Sequence, residues 1–249
     1  MANLLKERYD ALVEKWVALP DERREKLLDE FVPDYVYNSE KIENEELTFA
    51  TVSQIVRGDA VENYTGDVEV LVETRNLKVS WDLARIKLGE DPCLSEELIQ
   101  EAQGLVTMGT YSERLLLAGE RPGTFKLENY VGGPASIGIP AVEVPRAVGV
   151  LADDVNSYLE EGRRHLTIAA YVHARLFEIH PFADGNGRTA RLLMNGVLLA
   201  MGMPPIVIRA QDHGAYHAGL DVFHLEGDIS PFRRFLRNST LLTWEGLLD

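Results

Sequence analysis

Two apolar helical patterns, residues 164–179 and 192–201, are joined by a polar run, His180-Pro-Phe-Ala-Asp-Gly-Asn-Gly-Arg-Thr-Ala-Arg191. Helices this apolar must pack against other elements, so the chain has to fold around a charged turn set within its own core. Charges in such a place need partners, because burying them alone is costly. Gly185 and Gly187 let the backbone approach a ligand closely, and Asn186 tolerates left-handed conformations, so three successive N–H groups can converge on an anion. The helix that follows adds its own donors and the positive end of its dipole. Arg188 and Arg191 lie three residues apart and share a face, and two planar guanidinium groups suit a triphosphate better than a monophosphate. Asp184 offers a hard oxygen for Mg2+, and His180, ending the preceding helix, offers a ring expected to titrate near working pH.

The rest of the chain supplies the helices. Residues 3–18 and 21–32 mix apolar and charged positions at helical spacing, with Pro20 and Asp21 suited to a helix start and Pro33 expected to stop the second. Helix is also expected from Val36 to about Arg57, over 70–88 and over 94–119, with Asp91-Pro92 as the break between the last two. Composition shifts at 119–123, and 124–140 gathers glycine, proline, β-branched and aromatic residues, which reads as an irregular hairpin or flap. Helical spacing returns over 143–161, 164–179, 188–202, 212–225 and 231–245. The expected fold is mainly α, one compact helical bundle with a short β-hairpin.

Charge and cysteine content narrow the function. A formal net charge of −15 leaves no long phosphate-neutralising surface, so nucleic acid is not an expected partner, and any polyanion must sit in a small local pocket. The single cysteine, Cys93, excludes an internal disulfide and a Cys-based metal site, which fits a cytoplasmic setting. The N-terminal residues lack the uninterrupted apolar core of an export signal. The most apolar stretch, Leu192 to Ile208, is broken by Asn195, Gly196, Gly202 and Pro204-Pro205, and reads as core, with no membrane contact expected. His213, His217 and His224 lack the spacing and acidic base of a zinc motif and read as solvated or core histidines, as do His165 and His173.

The run from His180 to Arg191 resembles the Fic signature H-x-F-x-[D/E]-G-N-G-R-x-x-R at every specified position. Arg121-Pro-Gly-Thr-Phe125 and the glycine-rich stretch after it resemble the family's flap, and Tyr216 to Leu236 its C-terminal helices, so the likeness extends over roughly 95–240. The resemblance implies a Fic-fold bundle in which residues 61–249 form the core, with its flap at about 123–138, and 1–60 form an N-terminal helical region packed on it. It implies a protein adenylyltransferase that moves AMP from ATP to a Ser, Thr or Tyr hydroxyl of a target protein or of itself. His180 would be the base and Asp184 the Mg2+ ligand. Gly185, Asn186 and Gly187 would hold the α- and β-phosphates, Arg188 the β-phosphate and Arg191 the γ-phosphate, with Phe182 anchoring the loop from the core. The flap would hold an unknown target by strand addition.

Ser39-Glu-Lys-Ile-Glu43-Asn44 resembles the family's inhibitory motif [S/T]-x-x-x-E-[G/N], placed N-terminal to the signature as in class II members. The implied role of Glu43 is a charge-assisted pair with Arg191 that blocks the γ-phosphate position. The same glutamate leaves open the reverse reaction, removal of AMP from a modified protein. Transfer of another phosphate-containing group is also compatible with the signature. A Doc-type kinase would carry Lys where this chain has Gly187, a purely binding role sits poorly with intact His180, Asp184 and Arg191, and no stretch is left for an appended winged helix that would bind DNA. Apolar residues in the first two helices offer a possible homodimer interface.

Overall fold

A computed structural model describes residues 2–43, 47–62, 64–130, 138–162 and 164–248. The chain forms α1 (Ala2–Val17), α2 (Asp21–Glu43), α3 (Phe49–Arg57), α4 (Val68–Glu90), α5 (Glu96–Val106), α6 (Glu113–Leu117), α7 (Val144–Glu161), α8 (His165–Ile179), α9 (Asn186–Ala200), α10 (His213–Glu226) and α11 (Ser230–Trp244), with short 3-10 turns before α7 and α10. Side-chain caps set several starts. Thr48, Asp67, Ser95 and Ser112 each accept a hydrogen bond from a backbone N–H of the first turn of α3, α4, α5 and α6.

α9 is the centre of the bundle. Twelve of its 15 residues are buried, and it packs on α8 along one side and on α4 and α5 along the other. α2 lies across α4 and reaches α9, α7 packs on α8, and α1 and α10 both lie on α11. The stretch after α9 is fixed by Asn195, fully buried, whose Oδ1 accepts from Ile206 N–H at 2.7 Å and whose Nδ2 donates to the Ile206 carbonyl at 3.0 Å. Replacing Asn195 by alanine strands both backbone groups inside the protein, and a loss of about 2–4 kcal/mol is expected, measurable by chemical denaturation.

Three expectations need correction. Pro33 does not stop α2, which runs through it to Glu43. The proline removes one backbone hydrogen bond, but Leu27, Leu28, Phe31 and Val32 before it and Tyr35 and Val36 after it are all buried, so packing on both sides holds one helix together. Phe31 stacks against Tyr35 at 5.7 Å and Trp244 at 5.5 Å, and Trp81 tilts onto both Phe31 and Tyr35, forming an aromatic column that crosses the proline. The stretch 94–119 is two helices, because the chain turns at 107–112, where Gly109 takes φ 77°.

The third correction concerns the hairpin. Among the described residues there is no strand, and the described part of the expected flap, 123–130, is a series of turns. Three of its backbone donors go to groups outside the stretch: Gly123 N–H to the side chain of Gln103, Lys126 N–H to the Pro181 carbonyl and Leu127 N–H to Glu120 Oε1. Residues 131–137 lie outside the described residues. Of the apolar residues of α1 and α2, Leu12, Trp16, Leu27, Leu28 and Phe31 are buried within the chain itself, while Leu4 and Val17 are exposed. Among the described residues no helix is long and apolar enough to cross a membrane.

Candidate active site

The polar run forms the turn between α8 and the N-terminus of α9. His180 closes α8 in a left-handed conformation, φ 50° and ψ 61°, with its N–H on the Leu176 carbonyl at 3.0 Å. For a residue with a side chain that conformation costs roughly 1–2 kcal/mol. The surrounding turn holds it. Phe182 is fully buried against Phe125, ring centroids 5.7 Å apart, and Asn186 clasps the Phe182 backbone, accepting from its N–H at 2.9 Å and donating to its carbonyl at 2.8 Å. The Asn186 side chain thus stabilises the loop, leaving the backbone donors of the first turn of α9 for an incoming anion.

Two glycines lie in close quarters. Gly185 has φ 76°, and a Cβ there would lie 2.5 Å from Thr107 Cγ2. At Gly187 a Cβ would lie 2.7 Å from the Glu43 carboxylate and 3.1 Å from Arg191 Nη1. The end of α2 therefore delivers a carboxylate directly onto the N-terminus of α9.

Arg188 and Arg191 leave α9 on neighbouring paths and both are buried. Arg191 donates from Nη2 to Glu43 Oε1 at 2.7 Å and to the Ser39 carbonyl at 3.0 Å, and from Nε to Ser39 Oγ at 2.9 Å. Arg188 donates from Nη1 to Glu73 Oε1 at 2.6 Å, with Glu40 at 3.7 Å and Asp184 Oδ1 at 3.7 Å from its two terminal nitrogens. Burial pushes the Glu43 carboxyl up, but the Arg191 guanidinium, with Arg188 behind it, more than offsets this and holds it below the ordinary range.

His180 does not titrate near neutrality as the sequence suggested. Burial, and then the ammonium of Lys126, lower its pKa to about 4, while Glu43 and the Phe177 backbone oppose them. Lys126 is 2% exposed, donates to the Tyr130 carbonyl at 3.2 Å, and is held by its own backbone to Pro181. Ile139 N–H meets the Ile179 carbonyl at 3.2 Å, so both ends of the flap stretch are tied beside His180.

Asp184 fits a magnesium ligand. Oδ1 accepts from Gly185 N–H at 2.6 Å, the side chain is 42% exposed, and no hydrogen bond to Oδ2 is found among the described residues. Among those residues no cluster of three or more His, Cys, Asp or Glu could hold a metal alone, so Mg2+ would rely on this carboxylate and on oxygens of a bound phosphate, its usual habit.

Four contributors escaped sequence reasoning: Glu40, Glu73, Lys126 and Gln103. The charged three look like ordinary helix-face or loop residues in one dimension. Gln103 is fully buried, with Nε2 near the Asp184 carbonyl at 2.9 Å, Thr107 Oγ1 and Tyr111 OH at 3.0 Å, and Oε1 on Gly123 N–H at 2.6 Å. It staples the flap root and the signature turn to α5. For Gln103→Leu, hydrogen exchange at the Gly123 amide is expected to accelerate by about tenfold or more, the worth of one buried hydrogen bond.

Fold and site together give, among the described residues, a helical protein with a glycine-bearing polar turn between two central helices and the Glu43 carboxylate lying on it. Residues 93–198 match the model of the Fic/DOC family. A protein adenylyltransferase Fic of Aedes aegypti is 41% identical over 115 residues, covering 45% of this chain and 22% of that protein. The chain thus spans well under a third of the length of the curated relatives it matches. The crystal structure of a Fic domain containing signaling protein from Bacteroides thetaiotaomicron superposes with a TM-score of 0.81 at 25% identity, covering 97% of this chain and 92% of the other. Fic-1 from C. elegans gives 0.81 at 21% identity, covering 98% and 72%, which speaks for the fold alone.

Proposed function

We propose that the chain is a protein adenylyltransferase, inhibited at rest by its own α2. The observation that carries this reading is the pairing of Glu43 with Arg191 at the N-terminus of α9, inside a complete signature turn. ATP would lie along that turn, with its phosphates on the N–H groups of Asn186 and Gly187, on that of Gly185 once Asp184 turns from it to the metal, and on Arg188 and Arg191. Asp184 would hold Mg2+, which supplies positive charge to the phosphates. His180 takes the proton of a target hydroxyl as the hydroxyl oxygen bonds to the α-phosphorus. The bond from that phosphorus to the bridging oxygen breaks, and pyrophosphate leaves. Phe182 and Asn186 keep the turn in shape, and the stretch 123–138, tied at both ends beside His180, would present the target segment by strand addition.

Residues 1–60 act in this scheme as a regulatory region on the 61–249 core. Ser39 and Glu43 occupy the guanidinium that the γ-phosphate needs. Intact-mass spectrometry tests the reaction itself. After incubation of the Glu43→Gly protein with ATP and Mg2+, a gain of one adenylyl group, missing from the Glu43→Gly, His180→Ala protein, is expected. A gain of a phosphoryl group instead would refute adenylyl transfer.

A further inference from the structure

Resting on the nucleotide site proposed above, we propose that Glu40 is a positioning residue that, acting through Arg188, couples polyphosphate binding to the uptake of a proton. Nothing in the inhibitory motif asks for a carboxylate at this position, which directly follows Ser39.

The argument begins with charge. Four carboxylates, Glu40, Glu43, Glu73 and Asp184, stand around two guanidinium groups, Arg188 and Arg191. With all of them ionised the cluster is already anionic before any phosphate arrives. Glu40 is its least compensated member. It is 0% exposed, and neither of its oxygens has a hydrogen-bond partner among the described residues. Arg188 Nη1, at 3.7 Å, is beyond hydrogen-bond reach and is already committed to Glu73 at 2.6 Å. The charged and titratable groups facing Glu40 are Arg188 and Arg191 from α9, Glu73 from α4, and Glu43 and Tyr35 from its own helix.

Burial raises the Glu40 pKa to about 7, with Glu73 and Glu43 adding to the rise and the two arginines opposing it. The sign of the coupling follows. A phosphate that engages Arg188 draws on the one cation nearest Glu40 and adds negative charge beside it, so the carboxyl binds a proton more tightly when the site is filled. That proton comes from solvent. ATP binding therefore weakens as pH rises through neutrality, and a neutral side chain at position 40 removes the dependence.

The test is calorimetric titration of the full chain with ATP and Mg2+ at pH 7.5, in two buffers of different ionisation enthalpy. The unaltered protein is expected to take up about half a proton per ATP. Glu40→Gln, which copies the neutral carboxyl, should lose that uptake and bind ATP roughly threefold tighter or more. Glu40→Leu serves as a second neutral variant, and thermal melts establish that both fold. Equal proton uptake in all three proteins, or unchanged affinity in both variants, would overturn the coupling. Failure of ATP to bind any of them, and to bind the Glu43→Gly protein as well, would overturn the nucleotide site and this inference with it, an outcome distinct from binding without a proton.

Discussion

In a Glu43→Gly background, His180→Ala is expected to slow AMP transfer by about 10²- to 10⁴-fold, the usual contribution of a positioned general base. ATP affinity should stay within about twofold, because the phosphates are held by the turn and the arginines, not by the ring. Single-turnover rates with labelled ATP, beside equilibrium binding, would separate the two effects. The pH profile adds a sharper check. With its pKa at about 4 in the free chain, His180 is neutral through the whole physiological range. Its proton affinity is lowered, so the base is lost only as pH falls through that low value. The acid limb of kcat/KM should therefore lie well below pH 6.5, the midpoint of an ordinary histidine. A limb centred near 6.5 would show that Lys126 and burial do not act on the ring as described.

Glu43→Gly alone should raise automodification by roughly tenfold or more. The Arg191 contact at 2.7 Å is a charge-assisted hydrogen bond, of a kind worth about 1.5–3 kcal/mol, and each 1.4 kcal/mol is a factor of ten. The lower part of that range applies, since Glu43 keeps 42% of its side chain exposed and water screens the pair. The substitution also clears the space in front of Gly187, where the carboxylate now sits. Initial rates with labelled ATP measure it, and a variant no faster than the unaltered chain would dismiss autoinhibition by this residue.

Much of this was legible in one dimension, and the reasons for success and failure differ by residue. The helices around the turn were readable because α8 and the later turns of α9 are rich in apolar residues and flank a run whose residue types have few other uses. Pro33 misled, since a local rule about proline lost to buried aromatic packing on both sides of it. The hairpin misled because composition cannot say where backbone donors go, and here Gln103, Glu120 and Pro181 take them. The shifted pKa of His180 depends on Lys126, 54 positions away and brought close only by folding. Glu40 and Glu73 were invisible for the same reason, being charged residues on helices whose buried faces no periodicity marks as polar.

The proline within α2 has a mechanical consequence. The aromatic column clamps the middle of the helix into the core, while Ser39, Glu40 and Glu43 ride on its far end beyond a point where one backbone bond is missing. Tyr35 lies past that point and packs back on Phe31 and Trp81, so the column splints the helix across its missing bond, and the grip of the carboxylates on the arginines is anchored in the same core that holds the tryptophans.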